Sequence, residues 1–304
     1  MRIPTGLFSR NFLSYIEKDS ENIFWNNQRI ASTKRIQLPS DDPMGTTNAI
    51  KLNNNITFND QYIENTNDAI SWLNSTEVGV NHLLNLLTNA SVIATQGMSE
   101  VVGADARVAM GNEINQILEE MVATADNKVK GKYIFGGLET QTLPYTVQED
   151  AQGRITDVIP NPVGISGEIK RKISEEEIIT INISGDEIFD LGAGTDTFDV
   201  LIGLRDALYN NDSAGIETYA QQLESSITTM RRGIETIGSK LERLNTQLPK
   251  LDALQVERKA ELSKIMDTDM AVELVELQKN QTVLQSVLQT GARIMGMSLM
   301  DFIT

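Results

Sequence analysis

The chain has 304 residues and a mass of 33.6 kDa, and its 26 basic and 42 acidic side chains leave a net charge of −16. It has no cysteine and one histidine, His82, which excludes a disulfide scaffold, thiol catalysis, cysteine-ligated zinc, iron–sulfur clusters and multi-histidine metal sites. The acidic balance argues against nucleic acid or an anionic membrane as the main partner, and no apolar run reaches the roughly 18 residues that span a bilayer.

The N-terminus lacks a basic stretch followed by an apolar one, so no cleaved secretory signal is expected. Residues 7–36 have helical potential, with Leu7, Phe8, Phe12 and Ile16 among the apolar positions, and a loop follows. Asp42-Pro43 then opens the next helix, with aspartate as N-cap and proline at the first helical position. From Leu52 to Val101, positions spaced alternately by four and three are apolar at eleven of fifteen places, the heptad seam of a long packed helix. Glycines 97 and 103 are expected to interrupt it. A further helix over 107–130 carries Ile114, Ile117, Leu118 and Met121 on one face.

Residues 138–200 change character. Proline and glycine rise, and alternating apolar residues predict strands at 155–159, 168–173 and 178–183. This stretch has four basic residues (Arg154, Lys170, Arg171, Lys172) against thirteen acidic ones, a local net of −9. A second heptad series, Ile216 to Ile265, is apolar at thirteen of fifteen places. Pro249 lies inside it and should bend or break the helix. At the C-terminus, Met270, Leu274, Leu277, Leu284, Leu288 and Met295 line one helical face, widened by Val283, Val287 and Ile294. The fold class that follows is mainly α with a small inserted β-rich domain: a long antiparallel helical rod with helical termini. Its parts are 1–44, an N-terminal arm; 45–137, the first part of the rod; 138–200, the β-rich part; 201–268, the returning part of the rod; and 269–304, a C-terminal helix.

No convergent set of acid, base and nucleophile is visible, so no enzymatic activity and no cofactor are expected. His82 lies one residue off the seam, and Glu77 is not at a helical i+3 or i+4 spacing from it. Asp41 and Asp42 are better read as caps than as a catalytic dyad. The loop DLGAGTDTFD (190–199) lacks the calcium-loop spacing and the closing glutamate, the phosphate-loop lysine and the GxGxxG order, and reads as a solvated turn. Lys170-Arg171-Lys172 has no interleaved aromatics and reads as a charged strand edge. The apolar stripes at the two ends either join the same bundle or pack against neighbouring molecules; periodicity leaves both open.

The opening MRIPTGLF, the stretch QRIASTKRIQLPSDDPMGTTNAIKLNNNI (28–56), GKYIFGGLETQTLPY (131–145), GDEIFD (185–190) and the ending SLMDFIT (298–304) resemble the flagellin-like axial proteins of the bacterial flagellum. Within them, GKYIFGG with GDEIFD and the short β-rich middle resemble the hook-associated protein 3 family, which forms the hook–filament junction. Thr33 stands where that family usually has glycine, a residue that permits a left-handed turn. The resemblance implies a structural component of the flagellum, exported unfolded by the flagellar type III apparatus and located outside the cell. Its partners would be hook-associated protein 1, flagellin, further copies of itself in a ring, and an export chaperone. It further implies terminal arms that are disordered in the monomer and helical once assembled. Ordering about 40 terminal residues costs roughly 1–2 kcal/mol each, which neighbours recover by burying apolar area at about 25 cal/mol per Å². The residues expected at that assembly interface are Leu7, Phe8, Phe12, Ile16, Leu284, Leu288, Ile294, Leu299 and Phe302. A short flagellin, or a coiled-coil secreted effector or adhesin, is the alternative.

Overall fold

The computed structural model describes the backbone of residues 5–163, 165–190 and 196–303, and the side chains of residues 10–163, 165–190 and 196–293. In chain order the elements are α1 (Thr5–Ser32), α2 (Pro43–Gly97), α3 (Ala104–Ala125), β1 (Lys128–Val129), β2 (Lys132–Tyr133), β3 (Tyr145–Glu149), β4 (Ile155–Pro160), β5 (Lys170–Lys172), β6 (Ile178–Thr180), α4 (Gly185–Phe189), α5 (Thr197–Tyr209), α6 (Ser213–Met266) and α7 (Met270–Ile303). The chain divides into two compact units: residues 59–253, here the core unit, and residues 1–58 with 254–304, here the terminal unit.

The core unit is organised by α2 and α6. Asn59 Nδ2 donates to the Leu251 carbonyl at 2.8 Å, Ser91 Oγ to Glu224 Oε1 at 3.1 Å, and Gly97 lies against Ile216. Residue numbers rise along one helix as they fall along the other, so the two run antiparallel. All fifteen positions of the Ile216–Ile265 series are buried or half-buried. In the first series only Val101 is exposed, but the frame differs on one side. Leu73, Val80, Leu87 and Ala94 are buried as expected, whereas the intervening buried positions are Ala69, Thr76, Leu83 and Ala90, one residue before Ile70, Glu77, Leu84 and Ser91. α2 packs on more than one neighbour, which widens its buried face beyond a two-helix seam.

Helix α6 is continuous through Pro249, so of the expected bend or break the break does not occur. The proline removes one N–H, and the carbonyl it would have served belongs to Asn245; both residues are exposed, so the lost hydrogen bond falls on the solvent-facing side of the helix. Where α2 ends, Arg107 is buried without a carboxylate: Nε donates to the Gly97 carbonyl at 2.9 Å, Nη2 to that of Ser99 at 3.3 Å, and Nη1 to Asn211 Oδ1 at 2.5 Å. It serves the orphan carbonyls of the helix end.

The strands pair as three two-stranded antiparallel sheets, β1–β2, β3–β4 and β5–β6. The expected strands correspond to β4, β5 and β6, and the basic run at 170–172 is an edge strand. Lys130 and Gly131, both at positive φ, close the β1–β2 hairpin. The sheets share the helical core: Ile155, Val158, Ile173, Ile179, Ile181 and Ile183 belong to one continuous apolar cluster with α2, α3, α5 and α6. Phe135, Tyr145, Phe189 and Phe198 pack inside it, with Phe189 and Phe198 stacked at 4.7 Å between centroids.

The candidate chemical groups take structural places. His82 is exposed, with Nε2 3.0 Å from Glu120 Oε1 on α3. Asp196 N-caps α5: its side chain accepts from Asp199 N at 2.8 Å while Asp199 Oδ2 accepts from Asp196 N at 3.2 Å, a reciprocal box. Gly192 and Gly194 of the same loop lie outside the described residues. Among the described residues, no group of three or more His, Asp or Glu side chains could hold a metal ion, and no helix is long and apolar enough to cross a membrane.

Candidate assembly interface

The terminal unit is built from α1, α7 and the adjoining ends of α2 and α6. α1 and α7 pack antiparallel. At one end the Phe12 ring lies over Gly291, where a Cβ would come within 2.0 Å of Phe12 Cζ. Toward the other, Asn280 Nδ2 donates to Asn26 Oδ1 at 2.9 Å and Asn26 Nδ2 to Glu273 Oε2 at 2.6 Å; Arg29 and Thr268 also reach Glu273 Oε1, at 3.4 and 3.3 Å. The half-buried or buried positions recur in heptad spacing on both helices: Phe12, Ile16, Asp19, Ile23, Asn26 and Ile30 on α1; Glu273, Leu277, Asn280, Leu284, Val287 and Gly291 on α7.

Two connectors hold this pair at its base. Arg35 N donates to the Met266 carbonyl at 2.7 Å, Thr268 N to that of Thr33 at 3.0 Å, and Lys34 pairs with Asp267. Thr33 ends α1 at φ +59°, so a β-branched residue occupies the left-handed region that glycine favours. Asp41 Oδ2 accepts from Gln37 N and Leu38 N at 3.0 and 2.9 Å. Asp42 Oδ1 accepts from Gly45 N at 2.8 Å, the N3 donor of α2, and Oδ2 meets Arg35 at 3.3 Å. Backbone donors, from Leu38 and Gln37 for Asp41 and from Gly45 for Asp42, hold both carboxyls below the ordinary aspartate range. A Cβ at Gly45 would fall 2.5 Å from Asp42 Oδ2 and 2.7 Å from Ile36 Cδ1, so any larger residue there must displace the cap carboxyl and the Ile36 methyl.

The balance of buried and exposed apolar surface separates the two units. Among the described residues, only Ile36, Ala49 and Ile56 of the buried apolar side chains belong to the terminal unit. Fourteen of the twenty-three large exposed apolar side chains are there, among them Leu13, Tyr15, Phe24, Val275 and Leu288. Of the residues expected at an interface, Phe12, Ile16 and Leu284 are half-buried in the α1–α7 seam, and Leu288 points outward. Leu7 and Phe8 lie on α1 and Ile294, Leu299 and Phe302 on α7, but their side chains lie outside the described residues, as does that of Met295. The polar seam residues Asn26, Glu273 and Asn280 were missed by hydropathy; their signal is heptad position, not residue type. Asp269, which accepts from Ala271 N and Val272 N at 2.9 and 3.3 Å, caps α7; it was not among the residues expected from the sequence, although an aspartate just before an apolar run is a helix-start signal.

Residues 3–140 match the family model of the bacterial flagellin N-terminal helical region, and residues 205–303 that of the bacterial flagellin C-terminal helical region. Flagellar hook-associated protein 3 of Escherichia coli (strain K12) is 21% identical over 322 residues, covering 98% of each chain. A flagellin of Listeria monocytogenes is 22% identical over 292 residues, covering 94% of this chain and 93% of the flagellin. A solved putative flagellar hook-associated protein from Vibrio parahaemolyticus shares the fold at TM-score 0.63 and 18% identity, over 75% of this chain and 98% of that one. Bacillus cereus FlgL does so at TM-score 0.56 and 20% identity, over 70% and 99%. The two matched regions together span most of the sequence and take in the helices described above, and the chain belongs to the flagellin-like family of bacterial flagellar structural proteins.

Proposed function

We propose that copies of this chain form the ring that joins hook-associated protein 1 to the flagellin filament, and that the protein carries no catalysis. The observation that supports this reading best is the terminal unit itself. Its helices are formed, with α2 and α7 capped by Asp42 and Asp269, yet among the described residues few of its apolar side chains are buried, so a neighbouring subunit is the natural source of the missing burial. In this reading residues 1–44 and 269–304 are the assembly arms. Leu288, with Leu7, Phe8, Ile294, Leu299 and Phe302, faces other subunits, while Phe12, Ile16 and Leu284 hold the two arms together. The helices of 45–137 and 201–268 carry the arms, and residues 138–200 face outward, their acidity keeping free subunits apart. Export runs through the flagellar apparatus, with a chaperone covering the apolar arm before assembly.

Electron microscopy of cells lacking the gene, with flagellin assayed in the medium, tests this. Hooks without filaments and flagellin lost to the medium are expected. Normal filaments would overturn the junction role. Bare hooks with no flagellin anywhere would favour the second reading, a short flagellin, which the similarity to the Listeria protein keeps in view.

A further inference from the structure

A cavity of about 120 Å³ in the core unit is lined by Trp72 and Asp68 of α2, Lys130 and Lys132 of the β1–β2 hairpin, Arg171 of β5, and Ile181. Its charges do not balance. Lys130 Nζ donates to Asp68 Oδ1 at 3.0 Å, which accounts for the one acid. Among the described residues Lys132 and Arg171 have no carboxylate partner, although Lys170 next along the strand pairs with Glu168 and Arg243 with Glu177. Lys132 and Arg171 therefore leave the cavity wall with a net positive charge, in a chain whose overall charge is −16. Trp72 adds its ring to the wall, and its indole N–H is shut off from solvent with no acceptor among the described residues. A buried donor of this kind is costly until it is paired.

From this we infer that the cavity is a carboxylate-binding site that receives an aspartate or glutamate side chain from a second copy of the chain. Size sets the ligand. A cavity of this volume accommodates a carboxylate on a short aliphatic stem. The chemistry agrees, since an arginine fork and a lysine beside an apolar wall match a carboxylate with a methylene stem. Charge complementarity sets the source. Each copy carries −16, with −9 of it in residues 138–200 of this same unit, so a neighbour of identical composition presents carboxylates far more often than cations. A basic cavity on one copy meeting an acid on the next makes a directional contact, which identical acidic surfaces otherwise oppose. Only the source of the carboxylate rests on the assembly reading; the binding chemistry does not.

The test uses the full chain with Trp25→Phe, which leaves Trp72 as the single tryptophan. Glutarate, a stand-in for a glutamate side chain, should shift Trp72 emission saturably. Its neutral analogue glutaramide should not. Arg171→Gln and Lys132→Gln should each weaken glutarate binding about tenfold or more while leaving the thermal melt unchanged. No saturable response to glutarate would overturn the site. Sedimentation equilibrium of the same chain reads the source: weak self-association that both glutarate and Arg171→Glu abolish is expected. A glutarate response in a chain that stays monomeric at every concentration would overturn the second copy as the source while leaving the flagellar role standing.

Discussion

Leu288→Asp separates an internal helix from an assembly helix. Leu288 is 47% exposed, whereas Leu73 in the core unit is 0% exposed. Burying a leucine fully contributes about 1.5–3 kcal/mol, so losing the covered half of Leu288 costs the free chain about 1 kcal/mol. The poorer helix propensity of aspartate adds roughly 0.5 kcal/mol. If a neighbour covers the remaining half, the aspartate must also be desolvated there without a partner, at about 3–5 kcal/mol. Affinity for the hook should then fall more than about a hundredfold. Leu73→Ala reverses the pattern, costing about 2–5 kcal/mol of core stability and leaving the arm surface intact. Circular-dichroism melts of the free chain and its binding to isolated hooks give the two readouts. Leu288→Asp melting as early as Leu73→Ala, or binding hooks as well as the parent chain, would refute the reasoning.

Thr33→Gly should stabilise the terminal unit by up to about 1 kcal/mol, because relief of a left-handed β-branched residue (about 1–2 kcal/mol) exceeds the entropy cost of glycine (about 0.5–1); a lower denaturant midpoint would show that the strain argument fails. Gly45→Ala should destabilise by about 1–2 kcal/mol by pushing Asp42 off the α2 N-terminus, and an unchanged melt would mean that the cap contributes nothing. Burial pushes the carboxyls of Asp126 and Asp196 up to about 6, from 3.8 when exposed. The folded state then holds more protons than the unfolded chain between those values, so these two groups make stability fall as pH rises from about 4 to about 6. Asp41, Asp42 and Asp267, held low by hydrogen bonds, act in the opposite sense at lower pH. Asp126→Asn should therefore be more stable than the parent at pH 7 and nearly equal to it near pH 4; a constant difference across that range would rule out the titration.

Hydropathy spacing read the long helices well because their seams are made of large aliphatic residues. It read the α6 seam at every position, through Pro249, where the solvent-facing side of the helix absorbs the lost hydrogen bond. It misplaced one edge of the α2 seam because three of the four residues buried there, Ala69, Thr76 and Ala90, are small or polar; Leu83 is the exception. Ala69 and Ala90 let neighbours approach closely, and Thr76 is buried with its hydroxyl bonded to the carbonyl four residues back, at 2.9 Å. Ile70 and Leu84 carry more hydropathy and took the seam in the reading while lying only half-buried. Arg107 and Gly45 were illegible for a different reason. Each answers to a local demand, open carbonyls at a helix end and space beside a cap, that no periodicity encodes.

Exposed apolar side chains are ordinary on protein surfaces, so exposure alone argues little. Distribution argues more. The terminal unit is about a third of the chain, yet it holds well over half of the large exposed apolar side chains and almost none of the buried ones among the described residues. A helix pair that evolved to stand in water would put its polar residues outside and fill its seam with aliphatics. α1 and α7 place Asn26, Glu273 and Asn280 in the seam, bonded to one another so that their burial is compensated, and turn Leu13, Phe24, Leu274 and Val275 outward. Hydrogen bonds are directional and favour one alignment of two helices; apolar contacts favour any partner that excludes water. In the proposed assembly the directional bonds are spent inside the pair, and the non-directional attraction is left for neighbouring subunits. That division suits a subunit whose arms must first find each other and then be covered by several others.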